Sequence, residues 1–329
     1  MSHPYQRPRR LRNTAAIRAL VQEHQLSASD FILPVFVVEG EDKVEEISSM
    51  PGYFRYSIDQ LLSHLEEAYT YGIRSVLLFV KVEDELKDNK GTEAYNPEGL
   101  MQRSIRAIKK SLPDMYLMTD VALDPYSSFG HDGIVENQEI VNDKSVDVLA
   151  KMGLSHAQAG ADMLAPSDMM DGRIARLREV LEQHQFPNVG IMSYAVKYAS
   201  AFYGPFRNAL DSAPGFGDKA TYQMNPANAL SAYQETKLDV EEGADILMVK
   251  PGMPYLDMVF RVKEWTKKPV AVYQVSGEYA MIKAAVANEW LEEDAAVWES
   301  LIAFKRAGAD LIASYFAFDI AKKLYTKKL

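Results

Sequence analysis

Eight short, near-continuous apolar runs, separated by amphipathic stretches, constrain this chain more than any other feature. The runs are Phe31–Val38, Ile73–Val80, Met115–Thr119, Asp162–Ala165, Val189–Val196, Ala244–Val249, Val270–Val275 and Leu311–Ala317. A run that is apolar along its whole length suits a strand buried on both faces, the condition of a parallel sheet covered by helices. Helical signals fall between the runs. Ser57-Ile58-Asp59-Gln60 reads as a capping box ahead of Leu61, Leu62 and Leu65. Asn225-Pro226 reads as an N-cap with proline at the first helical position. Gly-Ala-Asp recurs at Gly160, Gly243 and Gly308, each time just ahead of an apolar run. A glycine there can adopt the left-handed conformation that ends a helix before the chain enters a strand. Eight βα units in about 300 residues match an α/β fold of the (β/α)8 (TIM) barrel type. A doubly wound open sheet is the alternative, weakened because no Gly-x-Gly-x-x-Gly follows the first run.

A barrel gathers function at the carboxyl ends of its strands. The polar residues at those ends are Asp120, Asp124, Ser167, Lys197, Lys250, Ser276 and Tyr315, from six different runs. The two lysines carry the most chemistry. Each directly follows an apolar run, where desolvation disfavours the ammonium, lowers the pKa and frees an amine nucleophile. Two such lysines in one mouth would depress each other further and titrate as a unit. One points to carbonyl chemistry through a Schiff base; two point to two carbonyl substrates, or to one carbonyl and a helper. The plain alternative is a lysine that snorkels from a strand end into solvent.

Two long connections flank this mouth. The first, Asp120 to Gly133, carries Asp120, Asp124, His131 and Asp132 among glycines. Such a loop suits a hard cation or acid–base work, although aspartate beside proline and glycine is also ordinary turn chemistry. The second, Tyr198 to Asn225, contains Phe202-Tyr203-Gly204-Pro205-Phe206, Arg207, Lys219 and Gln223. Its length, aromatics and glycines read as a lid. Arg207 and Lys219 would offer cations to an anionic substrate group. With no Gly-rich phosphate grip after the seventh or eighth run, that group is expected to be a carboxylate.

Charge and composition narrow the partners. A net charge of -10 argues against nucleic-acid binding. No apolar run approaches the ~20 residues of a membrane span, and no signal peptide is visible. The absence of cysteine excludes disulfides and thiolate metal sites and fits a reducing, cytoplasmic compartment. The start of the chain departs from this acidic average: Arg7, Arg9, Arg10, Arg12 and Arg18 all precede Glu23, the first acidic residue. A transit peptide of a plastid protein or a disordered basic tail would look similar. A cationic segment on an acidic chain complements another copy of that chain, which favours a docking arm. The expected division is an oligomerisation arm over 1–28 and a catalytic barrel over 29–329.

Four segments resemble a known family. Ser193-Tyr-Ala-Val-Lys197-Tyr-Ala-Ser-Ala-Phe-Tyr-Gly-Pro-Phe-Arg207, Met248-Val-Lys250-Pro-Gly-Met-Pro-Tyr255, Ala165-Pro-Ser-Asp-Met-Met-Asp-Gly172 and Tyr273-Gln-Val-Ser-Gly-Glu278 resemble porphobilinogen synthases, also called 5-aminolevulinate dehydratases. The resemblance implies a (β/α)8 barrel with an N-terminal arm around a neighbouring subunit, usually in a homo-octamer. It implies a hydro-lyase of tetrapyrrole biosynthesis that joins two molecules of 5-aminolevulinate with loss of two waters and uses no organic cofactor. Lys250 matches the Schiff-base lysine of the first substrate and Lys197 the second active-site lysine. Ser276 and Tyr315 match the holders of one substrate carboxylate; Arg207, Lys219 and Gln223 match the lid positions that hold the other. Asp120 and Ser167 match groups near the amino nitrogens, and Tyr203 and Phe206 close the pocket. Lys219 stands where many members have arginine, a less fork-like grip.

The family divides on metal. Zinc-dependent members carry three cysteines where this chain has Ala122, Asp124 and Asp132. Carboxylates prefer magnesium or similar hard ions to zinc. The chain therefore resembles the cysteine-free branch, with allosteric magnesium at Glu235; without the resemblance, Glu235 reads as part of a solvated helix face. A class I aldolase-like Schiff-base lyase remains the rival enzyme, and a non-catalytic carboxylate-binding barrel the rival of another class.

Overall fold

The computed structural model describes residues 5–212 and 214–326. The first four residues of the expected arm and the last three of the expected barrel unit therefore lie outside the described residues. Counting barrel strands alone, the elements are β1 (Phe31–Val37), β2 (Ser75–Val80), β3 (Tyr116–Val121), β4 (Met163–Pro166), β5 (Gly190–Lys197), β6 (Ile246–Lys250), β7 (Val270–Gln274) and β8 (Leu311–Ser314). Each pairs in parallel with the next, and β8 pairs back to β1 through Phe31↔Ile312 and Ile32↔Ala313, which closes the barrel. All eight expected runs are strands, with ends displaced by one or two residues in most cases. Every residue of β1 and of β7 is buried, which is why their sequences show no polar alternation.

The Gly-Ala-Asp echo has a structural meaning beyond the helix stop. Gly160, Gly243 and Gly308 all take positive φ, at 110°, 106° and 109°. The aspartate that follows then bonds the neighbouring strand at the amino-terminal end of the barrel. A side-chain oxygen of Asp162 accepts from Leu117 N–H, Asp245 from Ile191 N–H and Asp310 from Val270 N–H, each at 2.8 Å. In return each aspartate's own N–H donates to a carbonyl of that same neighbour, Leu117, Ile191 or Val270. The motif thus sets strand register three times over.

Two expected helix starts are corrected. The helix Ile58–Thr70 does follow Ser57, but the Ser57 hydroxyl accepts from Lys43 N–H at 2.9 Å, and Gln60 donates to Asp42 at 2.7 Å. Both halves of the capping box are drawn off by the Asp42–Lys43 turn. Asn225-Pro226 opens a turn, not a helix: the Asn225 side chain accepts from Ala227 N–H, and the helix begins at Leu230.

The amino-terminal segment lies outside the barrel's core. A 3₁₀ turn at Pro8–Arg12 and a helix at Ala15–Leu20 contain no buried residue, and Leu11 and Leu20 are 53% and 79% exposed. Leu26 is the first buried side chain described. Among the described residues no helix is long and apolar enough to cross a membrane.

Candidate active site

β5 and β6 end together. Lys197 and Lys250 are register partners across the two strands, so both enter the barrel mouth at one level. Lys250 is 5% exposed, and its Nζ is ringed by aromatics: 4.7 Å from the Tyr273 ring centre, 4.8 Å from Phe206, 5.1 Å from Tyr194 and 5.2 Å from Tyr203. Burial pushes its pKa down to about 7, the Lys197 charge pushes in the same direction, and Asp120 opposes both. A substantial fraction of Lys250 is therefore free amine near neutrality. Glu278 secures the segment that follows by accepting N–H donors from Gly252, Met253 and Val275.

Asp120 lies within β3 and is 5% exposed, and its Oδ1 has no hydrogen-bond partner. Burial, reinforced by Asp124, raises its pKa to about 7, with Ser167, Lys250 and Lys197 opposing. An acid poised there can both give and take a proton at neutral pH. Lys197 pairs with Asp132 at 3.2 Å and donates to the Ser167 carbonyl.

Asp132 is also held by Lys219, at 2.5 Å, and Lys219 reaches Asp124 at 3.2 Å. Burial alone would depress Lys219 and raise Asp132. The facing charges outweigh it, so Lys219 lies above the usual lysine range and Asp132 below the usual carboxylate range. The loop carboxylates thus grip an ammonium of the chain itself.

The Tyr198–Asn225 connection folds over this cluster. A Cβ on Gly277 would lie 2.5 Å from the Phe202 carbonyl oxygen, so only glycine lets the base of the connection seat on the helix Ser276–Ala287. Phe206 N–H donates to Ser276 Oγ at 2.9 Å, and Tyr203 donates to the Tyr198 carbonyl at 2.7 Å. The Tyr315 hydroxyl bonds that of Tyr273 at 3.0 Å. Gln223 is buried, with Oε1 lacking a partner, whereas Arg207 is half-buried on the helix Gly204–Leu210. Asp120, Lys197, Lys250, Ser276, Tyr203, Phe206 and Tyr315 therefore converge, with Asp124, Asp132 and Lys219 forming an adjoining ionic cluster. In that cluster Lys219 faces carboxylates of the chain, not open space.

Glu235 sits apart, in a cavity of about 720 Å³ that is also lined by Asp171, Asp218, His131 and Tyr222. Burial raises its carboxyl pKa; Arg173 opposes, and Asp239, Asp171 and Glu242 add to the rise. Among the described residues no group of three or more His, Asp or Glu forms a ready metal cage.

Several contributors are given no individual role by the sequence. Tyr194 and Tyr273 read as core, yet flank Lys250. Arg173, on an amphipathic helix, is 2% exposed and lies 3.5 Å from Asp239 and 3.2 Å from Ser193 Oγ. Asp168, 3.7 Å from Arg173, is pushed up to about 6 by burial, with Arg173 opposing.

The family model described as delta-aminolevulinic acid dehydratase matches residues 5–323. A delta-aminolevulinic acid dehydratase of Bradyrhizobium diazoefficiens is 52% identical over 98% of this chain and 91% of its own length. One from Chlamydia pneumoniae is 52% identical over 97% and 96% of the two chains. A solved structure of the Toxoplasma gondii delta-aminolevulinic acid dehydratase, in complex with the reaction product porphobilinogen, superimposes with a TM-score of 0.95. It is 51% identical and covers 97% of this chain and 92% of that one.

Proposed function

The chain belongs to the delta-aminolevulinic acid dehydratase family, and on that premise we propose that Lys250 and Lys197 are its paired Schiff-base lysines. It is a hydro-lyase that condenses two molecules of 5-aminolevulinate into porphobilinogen with loss of two waters, a step of tetrapyrrole biosynthesis. The observation that carries the lysine assignment is the aromatic enclosure of Lys250, which supplies a free amine near neutrality.

The Lys250 amine attacks the ketone of the first substrate. The resulting carbinolamine loses its hydroxyl as water once that oxygen is protonated. Asp120, poised near 7, supplies the proton and afterwards takes one back. Lys197 receives the second ketone from the adjoining strand end, with Asp132 and the Ser167 carbonyl fixing its Nζ. Ser276 and Tyr315 hold one carboxylate. Arg207, Lys219 and Gln223 hold the other, and Asp124 and Asp132 lie near the second amino group. Phe206 and Tyr203 exclude water from the first imine.

Magnesium fits Glu235 better than any position in the mouth. Surplus carboxylates face a roomy polar cavity there, and a hydrated ion needs only one or two of them. When bound, the ion supplies positive charge outside the reacting centre. The residues of the mouth do not suit zinc, because carboxylates replace thiolates and both grip Lys219. The largely exposed stretch over 5–25, with Leu11, Leu20 and its arginines, supports an oligomerisation arm over 1–28 on the barrel of residues 29–329 and assembly as a homo-octamer. The cysteine-free composition supports a cytoplasmic enzyme.

The direct test is turnover of 5-aminolevulinate by the purified protein. Porphobilinogen should accumulate at one per two substrates consumed. An aldolase-like activity with no pyrrole product would overturn the reading.

A further inference from the structure

We infer that Lys219 is a built-in stand-in for the substrate: its ammonium occupies the Asp124–Asp132 subsite that the amino group of 5-aminolevulinate takes, and the arriving substrate releases Lys219 to grip the substrate's own carboxylate. The inference rests on the function proposed above.

The geometry of the ionic cluster carries it. Lys219 comes from the Tyr198–Asn225 connection, while Asp124 and Asp132 come from the loop after β3. Its contacts with them, at 3.2 and 2.5 Å, therefore join two loops. The same loops meet at Gly215 N–H to the Phe129 carbonyl, 2.9 Å, and at His131 with the Tyr222 hydroxyl, 3.1 Å. The cluster alternates Asp124, Lys219, Asp132, Lys197, two carboxylates with two lysines. A substrate ammonium would make three cations against two buried carboxylates, so one cation must leave. The backbone of Lys197 is held in the β5–β6 ladder, and its Nζ is tied to Asp132 and the Ser167 carbonyl. Lys219 lies on a connection and is the cation free to move.

The exchange is one primary ammonium for another, so the carboxylates keep a partner throughout. Once released, Lys219 is the cation that the far end of the same molecule needs, beside Arg207. A ligand with both an ammonium and a carboxylate completes the swap. A keto acid without the amine must draw Lys219 from two buried carboxylates, leaving Asp124 without a cation and Asp132 with Lys197 alone, which disfavours it. Lys219 thereby acts as a specificity residue as well as a latch on the lid.

The test uses two partial substrates on the intact protein: aminoacetone, a ketone with the amine only, and levulinate, a ketone with the carboxylate only. Trace acetylation of lysines is read by peptide mass and normalised to the exposed Lys237. Aminoacetone should raise labelling of Lys219 by on the order of tenfold, as for a local opening, and levulinate should not. In Lys219→Met, aminoacetone should bind more tightly and levulinate more weakly; weaker binding of both would contradict the latch. Borohydride trapping on the same samples separates the two levels. If aminoacetone is reduced onto Lys197 while Lys219 stays as protected as in the free protein, the latch is wrong and the enzyme assignment stands. If neither ketone is trapped on Lys197 or Lys250, the assignment itself fails and the latch falls with it.

Discussion

Lys197 and Lys250 are register partners on adjacent parallel strands, yet they meet opposite surroundings. Lys250 is enclosed by four aromatic rings, while Lys197 is paired with Asp132 and a backbone carbonyl. One strand-end geometry thus offers a ready amine beside a tethered ammonium, which suits two ketones taken up in order.

Replacing Lys250 with alanine should cost turnover at least ~10³-fold, the scale of losing a covalent nucleophile, and Lys197→Ala should come close. Arginine should fail at either position, because guanidinium stays protonated. Steady-state assays check this; near-normal activity in Lys250→Ala would refute the mechanism.

The pH dependence follows from signs. Below about 7 Lys250 is an ammonium in folded and unfolded chains alike, and the folded state bears the cost of burying it. As pH rises from about 7 towards the ordinary lysine range, the folded state has released its proton and the cost fades. Lys250→Met should therefore raise Tm most at pH 7 and below. Imine formation on Lys250 should rise through an apparent pKa near 7. Asp120→Asn removes the charge that holds the lysine up and should move that limb to lower pH. A limb near 10 would contradict the enclosure argument.

How much of this was readable from residues alone depends on the range of the contact. Doubly buried strands keep continuous apolar runs, so all eight were visible, and a lysine closing such a run is conspicuous. The caps expected at Ser57 and Asn225 do not form, because tertiary and turn partners take the same side chains. Lys219 against Asp124 and Asp132 joins residues some 90 positions apart through two irregular loops, which leave no periodicity to read. By apolar patterning alone, Tyr194 and Tyr273 look like filler of the barrel core, although both lie within the motifs that carry the family resemblance. Arg173 carries no signal of its buried pairing, because its partner Asp239 comes from a distant helix.

Activity should survive a zinc-selective chelator and respond saturably to magnesium, since the mouth offers carboxylates already engaged by Lys219. Glu235→Ala should keep basal turnover and lose the magnesium response. Metal-stripped enzyme restored by zinc and indifferent to magnesium would contradict the assignment.

Deleting residues 1–12 should give smaller particles with weak activity, while the barrel folds around its own core. Light scattering paired with an activity assay checks it. A fully active octamer without the arm would show that the exposed segment is a solvated tail.

The most direct measurement is borohydride reduction of the protein in the presence of 5-aminolevulinate, followed by peptide mass mapping. The account predicts a reduced adduct on Lys250 at neutral pH, lost in Lys250→Ala. Active protein with no adduct on Lys250, or with its adduct on a lysine outside the barrel mouth, would contradict it.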